Sequence, residues 1–97
     1  MGLRTFGCGN VLYGVYGYLS HNGIHLVGGT AQNVIYLNGA TKNNVGIKVE
    51  QNSTRNLIIH NTASNNSSDD LVDLNTNCDH NVWAENTFTR SNQGCIQ

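Results

Sequence analysis

The chain has 97 residues and a net charge of −1, with 38% hydrophobic and only 11% charged residues, 11 glycines, 16 asparagines and no proline. That length fits one small domain, 1–97. No apolar run approaches the roughly 18 residues of a membrane span, no charged block supports a disordered tail, and near-zero charge gives no electrostatic basis for holding a nucleic-acid backbone. Taken in chain order, short β-type runs return at a fixed interval. The first unit starts at Met1 with Met1 and Leu3, then Asn10 and Val11-Leu12-Tyr13. The second has Ile24-His25-Leu26, then Asn33-Val34-Ile35-Tyr36 and Asn38. The third has Ile47-Lys48-Val49, Asn56-Leu57-Ile58-Ile59 and Asn61; the fourth has Val72-Asp73-Leu74, Asn81-Val82-Trp83-Ala84 and Asn86, with Ile96 opening a stub.

The interval is 23 residues, and 25 into the last unit. A period of this size, with short strands and Gly/Asn punctuation, predicts a solenoid of about four coils. Each coil then holds two strands and a short third one near Ala40, Ala63 and Phe88. Stacking predicts inward rows Met1/Ile24/Ile47/Val72/Ile96, Leu3/Leu26/Val49/Leu74 and Leu12/Ile35/Ile58/Trp83. Asn10, Asn33, Asn56 and Asn81 form one asparagine row, and Asn38, Asn61 and Asn86 another. Both are expected to be structural ladders at corners, where asparagine tolerates left-handed backbone and its amide bonds to the coils on either side.

Spacing alone leaves the three cysteines open: three buried thiols, or a Cys78–Cys95 pair with Cys8 free. The N-terminus lacks a signal-peptide pattern, since Arg4 stands alone and glycines interrupt the apolar stretch.

The pattern Asn-x-Ile-x-x-Asn-x-Ala stands at Asn33-Ile35-Asn38-Ala40 and again at Asn56-Ile58-Asn61-Ala63. With the stretch from Asn77 to Phe88 and the later Cys95, it resembles the right-handed parallel β-helix of the pectate-lyase-like superfamily, over its last coils. The resemblance implies an all-β, right-handed parallel β-helix, a Cys78–Cys95 disulfide framing the final turn, and an exported parent protein, extracellular or periplasmic. It does not fix a function, because the superfamily includes polysaccharide lyases, glycoside hydrolases, epimerases, adhesins and accessory proteins.

Chemistry is expected on the outward rows. The middle residues of the triplets give Gly2, His25, Lys48 and Asp73, in which His25, Lys48 and Asp73 would supply a base, a charge neutraliser and an acid. A surface ion pair explains the same residues without catalysis. The next outward row reads Arg4, Val27, Glu50 and Asn75 and makes Glu50 a binding candidate. Asp69, Asp70, Asp73 and Asp79 offer hard oxygens to calcium but no calcium-loop pattern, so no cofactor or metal is expected.

With Leu12, Ile35, Ile58 and Trp83 inward, their flanks point out as an apolar strip that includes Tyr13 and Tyr36, suited to stacking on a sugar or packing on a second copy. A strand phase shifted by one residue would reverse this facing. The N-terminal end has no visible cap, which suggests the C-terminal piece of a longer solenoid or self-association through that end. The sequence thus points to a scaffold that associates with polysaccharide or a surface, without catalysis of its own. The alternative is part of a lyase, hydrolase or epimerase.

Overall fold

A computed structural model describes residues 2–5 and 7–97. Among them the chain is an all-β parallel solenoid of about three turns with a partial fourth, and no α-helix occurs. The first sheet stacks β1 (Leu3–Thr5), β4 (Asn22–Leu26), β7 (Val45–Val49) and β10 (Asp69–Asp73). The second stacks β2 (Val11–Tyr13), β5 (Val34–Tyr36), β8 (Leu57–Ile59) and β11 (Val82–Ala84). The third stacks β3 (Tyr16–Tyr18), β6 (Gly39–Thr41) and β9 (Thr62–Ser64). Every strand pair is parallel.

The second and third sheets keep the expected register. Leu12, Ile35, Ile58 and Trp83 stack in one row, and Gly17, Ala40 and Ala63 in another. Ile35, Ile58, Ala40, Ala63 and Trp83 are buried in one core with Ile24, Ile47, Leu26 and Val49, and Leu12 and Phe88 pack against it. The strand phase is therefore the one that leaves Val11, Tyr13 and Val82 exposed outside.

The first sheet departs from expectation at both ends. Leu3 pairs with Ile24 and Thr5 with Leu26, two residues off the predicted row, and Met1 lies outside the described residues. The cause is a shorter connection: residues 6–10 join β1 to β2, where 27–33 and 50–56 join the later pairs. At the other end Leu71, not Val72, pairs with Ile47, and Asp73, not Leu74, pairs with Val49. The link into β10 (65–68) has four residues, whereas those into β4 (19–21) and β7 (42–44) have three; one more residue enters after β10. The fourth unit's offset of 25 thus accumulates in two steps. The assumption of a uniform 25 shifted this strand by one residue and exchanged its faces. Leu71 and Asp73 are fully buried, while Leu74 is exposed. Ile96 joins the core from the tail rather than from a strand.

The asparagine ladders form, for one of the two expected reasons. None of Asn33, Asn38, Asn56, Asn61, Asn81 and Asn86 has a positive φ. The left-handed residue is the one before each: Gln32, Leu37, Arg55, His60, His80 and Glu85. Asparagine is placed by its amide. Asn56 Oδ1 accepts from the backbone N and Nδ2 of Asn33 at 3.1 and 3.0 Å, and Asn61 Oδ1 from those of Asn38 at 2.9 and 3.1 Å. Asn81 and Asn86 repeat this for Asn56 and Asn61. The second proton of Nδ2 reaches back to a carbonyl, as from Asn61 to Ile35 at 2.9 Å. One buried side chain thereby satisfies several buried backbone groups at a corner, where no strand partner is available. A third ladder, Asn43 on Asn66, was not foreseen.

Close stacking sets the glycine positions. Gly23 and Gly46 are buried, and a Cβ on Gly46 would run into the Asp70 carbonyl and the Asn66 amide. Asp70 occupies the next place in that row, where the tail rather than another full coil covers it.

Candidate functional site

The outer face of the second sheet carries the aromatic residues. Tyr13 pairs in register with Tyr36, and their rings stack with centroids 5.6 Å apart and 22° between planes. His60, the left-handed corner residue one turn on, meets the Tyr36 ring edge-on at 5.7 Å. Val11, Val34, Leu57 and Val82 form a parallel apolar row across the strand, and Ile59 continues the tyrosine row. Four three-residue strands stack in unbroken register beneath the strip. The sequence reading found Tyr13 and Tyr36; it missed His60, for which the signal was its place just before a ladder asparagine.

The outer face of the first sheet carries the charges, in a different grouping from the one expected. In register the row runs Arg4, His25, Lys48 and Val72. Asp73 is not on it. It points inward, fully buried, and its Oδ1 accepts from Asn75 N and Nδ2 at 2.9 and 2.8 Å. Its Oδ2 accepts from Trp83 Nε1 at 2.8 Å and Asn81 Nδ2 at 3.1 Å. With four donors around it, this carboxylate is a structural anchor and is withdrawn from the proposed His25–Lys48–Asp73 set.

Glu50 takes the place beside His25 and Lys48. His25 Nε2 donates to Glu50 Oε1 at 2.9 Å, and Lys48 Nζ stands 3.5 Å from the same oxygen. Asn22 Nδ2 lies 3.5 Å from His25 Nδ1. Burial pushes the Glu50 carboxyl upward, but the His25 hydrogen bond and the Lys48 charge outweigh it and hold it below its ordinary value. Such a carboxylate stays ionised at neutral pH and suits charge pairing better than proton donation.

Asp70 and Asp73 are engaged at the end of the solenoid, and Asp79 lies outside beside His80, with 3.0 Å between Oδ1 and Nδ1. Among the described residues no three His, Cys, Asp or Glu side chains converge on a metal position. Cys78 and Cys95 form a disulfide, and Cys8 is free and exposed. The bridge fits an oxidising, extracellular-type environment. No helix is long and apolar enough to cross a membrane among the described residues.

Compared with known proteins, the chain matches no family model, no curated protein and no solved structure at a significant level. The parallel solenoid therefore stands on its own geometry.

Proposed function

We propose that the chain is a β-solenoid scaffold that binds polysaccharide along the outer face of its second sheet and carries out no catalysis of its own. The carrying observation is the stacked pair Tyr13–Tyr36 with His60 at its edge, set in the apolar strip. Pyranose rings present C–H faces that stack on aromatic rings, while their hydroxyls stay in water. A strip of exposed apolar side chains in a low-charge chain is a surface for association. The fold and the Asn-x-Ile-x-x-Asn pattern support placing the chain with the pectate-lyase-like β-helices. The Cys78–Cys95 bridge supports an exported parent protein, extracellular or periplasmic.

A second reading, part of a lyase, hydrolase or epimerase, draws on the His25–Glu50–Lys48 cluster on a solvent-facing sheet. Affinity electrophoresis against neutral and uronic-acid polysaccharides separates the two. The scaffold reading expects retardation without breakdown, lost in the double variant Tyr13→Ser, Tyr36→Ser. Unchanged retardation of that variant removes the reading. Turnover that vanishes in Glu50→Gln or His25→Ala transfers the chain to the enzyme reading. Self-association through the same strip would appear as a dimer in sedimentation, converted to monomer by the same double variant.

A further inference from the structure

The third sheet carries a second aromatic pair, and it belongs to the first coil. Tyr16 and Tyr18 share the outer face of β3, with ring centroids 5.5 Å apart and planes tilted by 37°. Both are exposed. Tyr16 pairs in register with Gly39, and a Cβ on Gly39 would come within 2.6 Å of Tyr16 Cδ1 and 2.9 Å of Cε1. The ring thus leans over the next strand, into the space a side chain would take there.

The corner between the second and third sheets differs from coil to coil. Its left-handed residue is Gly14 in the first coil, then Leu37, His60 and Glu85. Gly14 is exposed, and a Cβ there would meet nothing within 4 Å. Of these four corner residues, Gly14 alone leaves the corner without a side chain. Tyr13, stacked on Tyr36, stands immediately before it, and Tyr16 comes two residues after it. Outward-facing aromatic residues therefore run round the first coil. Along the solenoid axis their rows continue instead as Ile59 and Ala84 on one sheet and Thr62 on the other.

These faces also lack formal charge. No Asp, Glu, Lys or Arg lies on β2, β3, β5 or β6, and Lys42 follows only at the far end of β6. A uronate carboxylate laid on these rings would lose water without gaining a cation. A neutral pyranose offers a C–H face to them and keeps its hydroxyls in water.

Given polysaccharide binding as described above, we propose that the ligand is a neutral, curving polysaccharide that crosses the bare Gly14 corner. It contacts Tyr13 and Tyr36 on one face and Tyr16 and Tyr18 on the next. A chain that touches both outer faces of a corner must curve, as 1,3-linked β-glucans do and straight 1,4-linked ones do not. On the later coils Leu37, His60 and Glu85 stand in the same path.

The test is affinity electrophoresis of the intact chain in laminarin (neutral, 1,3-linked), hydroxyethylcellulose (neutral, 1,4-linked) and polygalacturonate (charged). Laminarin is expected to bind about 10-fold more tightly than either of the others. The double variant Tyr16→Ser, Tyr18→Ser should weaken laminarin about 10-fold, the contribution of two stacking contacts. Gly14→Leu, which copies the Leu37 corner, should weaken it by a similar factor, and Lys42→Gln should leave it unchanged. Circular dichroism checks that each variant is folded. Laminarin binding lost in Tyr13→Ser, Tyr36→Ser but kept in folded Tyr16→Ser, Tyr18→Ser or in folded Gly14→Leu overturns the path round the corner and leaves the scaffold reading standing. Binding of hydroxyethylcellulose or polygalacturonate as tight as laminarin overturns it likewise. No retardation of the unmodified chain by any of the three overturns both.

Discussion

The first coil and the last coil of this solenoid solve the same stacking problem in opposite ways. In the last coil the ladders run into groups that only accept. Asp73 receives Asn75, Asn81 and Trp83, and Asp70 receives Asn66 Nδ2 at 2.9 Å and the backbone amides of Thr89 and Arg90 at 3.0 and 3.1 Å. The tail then crosses the end: Ser91 bridges to Leu71, Asn92 and Gln93 bind the Asp73 carbonyl, Ile96 enters the core, and Cys95 is bonded to Cys78. In the first coil the corresponding corners hold Asn10, Val15 and Ser20, whose backbone amides donate to Asn33, Asn38 and Asn43. Among the described residues, five of the eight large exposed hydrophobic residues belong to that coil: Val11, Tyr13, Tyr16, Tyr18 and Leu19. A ladder that donates in one direction needs a pure acceptor at its far end, which explains why carboxylates are buried there. The exposed aromatic and apolar groups collect at the other end.

The strongest way to break this comparison is Asp73→Ala. Four donors lose their acceptor in a dry core, and the expected loss is about 3–5 kcal/mol in chemical denaturation. An effect below about 1 kcal/mol would return Asp73 to the surface. Next is removal of the Cys78–Cys95 bridge by a double serine substitution. A cross-link with a sequence separation of 17 is expected to contribute about 3 kcal/mol, whereas Cys8→Ser should leave stability unchanged, since Cys8 is exposed. Within the ladders, Asn61→Ala should cost about 2–3 kcal/mol by orphaning buried amides. Ser20→Ala, at the corresponding kind of corner in the first coil, should cost less than about 0.5 kcal/mol.

Acid sharpens the contrast further. Burial raises the Asp70 carboxyl, but the hydrogen bonds from Asn66, Thr89 and Arg90 more than compensate and hold it below its ordinary value of 3.8. The unfolded chain therefore binds this proton more readily than the folded one. The resulting stability is fully present above pH 3.8 and is lost as pH falls through the lower folded value. Melting curves below pH 4 should show this loss in the parent protein and not in Asp70→Asn. The smallest effect concerns the corners. Leu37 holds φ 55° and is 47% exposed, so Leu37→Gly should relieve strain and raise stability by about 1 kcal/mol.

Much of this fold was legible because a solenoid repeats its evidence. The row Leu12, Ile35, Ile58 and Trp83 and the two asparagine rows each supplied three or four copies of one position, and these kept their register. What failed was the first sheet, where connection 6–10 is two residues shorter than its counterparts and connection 65–68 one residue longer, which moved β1 and β10 while leaving the neighbouring sheets aligned. A ladder of apolar residues tolerates either Val72 or Leu71 inside, so hydrophobicity could not choose between them. The buried place of Asp73 follows only from its partners Asn81 and Trp83, and its neighbourhood in the sequence resembles an ordinary polar exterior. The candidate site was half legible for the same reason: Tyr13 and Tyr36 lie in a regular row, whereas the His25–Glu50 pair joins a residue of β4 to one just past the end of β7.

Native-state hydrogen exchange of the corner amides tests the central claim most directly, because it reads both ends in one sample. The account predicts that the amides of Asn56, Asn61 and Asn75, under the closed end, exchange only with global unfolding. Those of Asn10, Val15 and Ser20 should exchange through local opening, at least about 10-fold faster. Equal protection along the coil, or greater protection in the first turn than in the last, would contradict it.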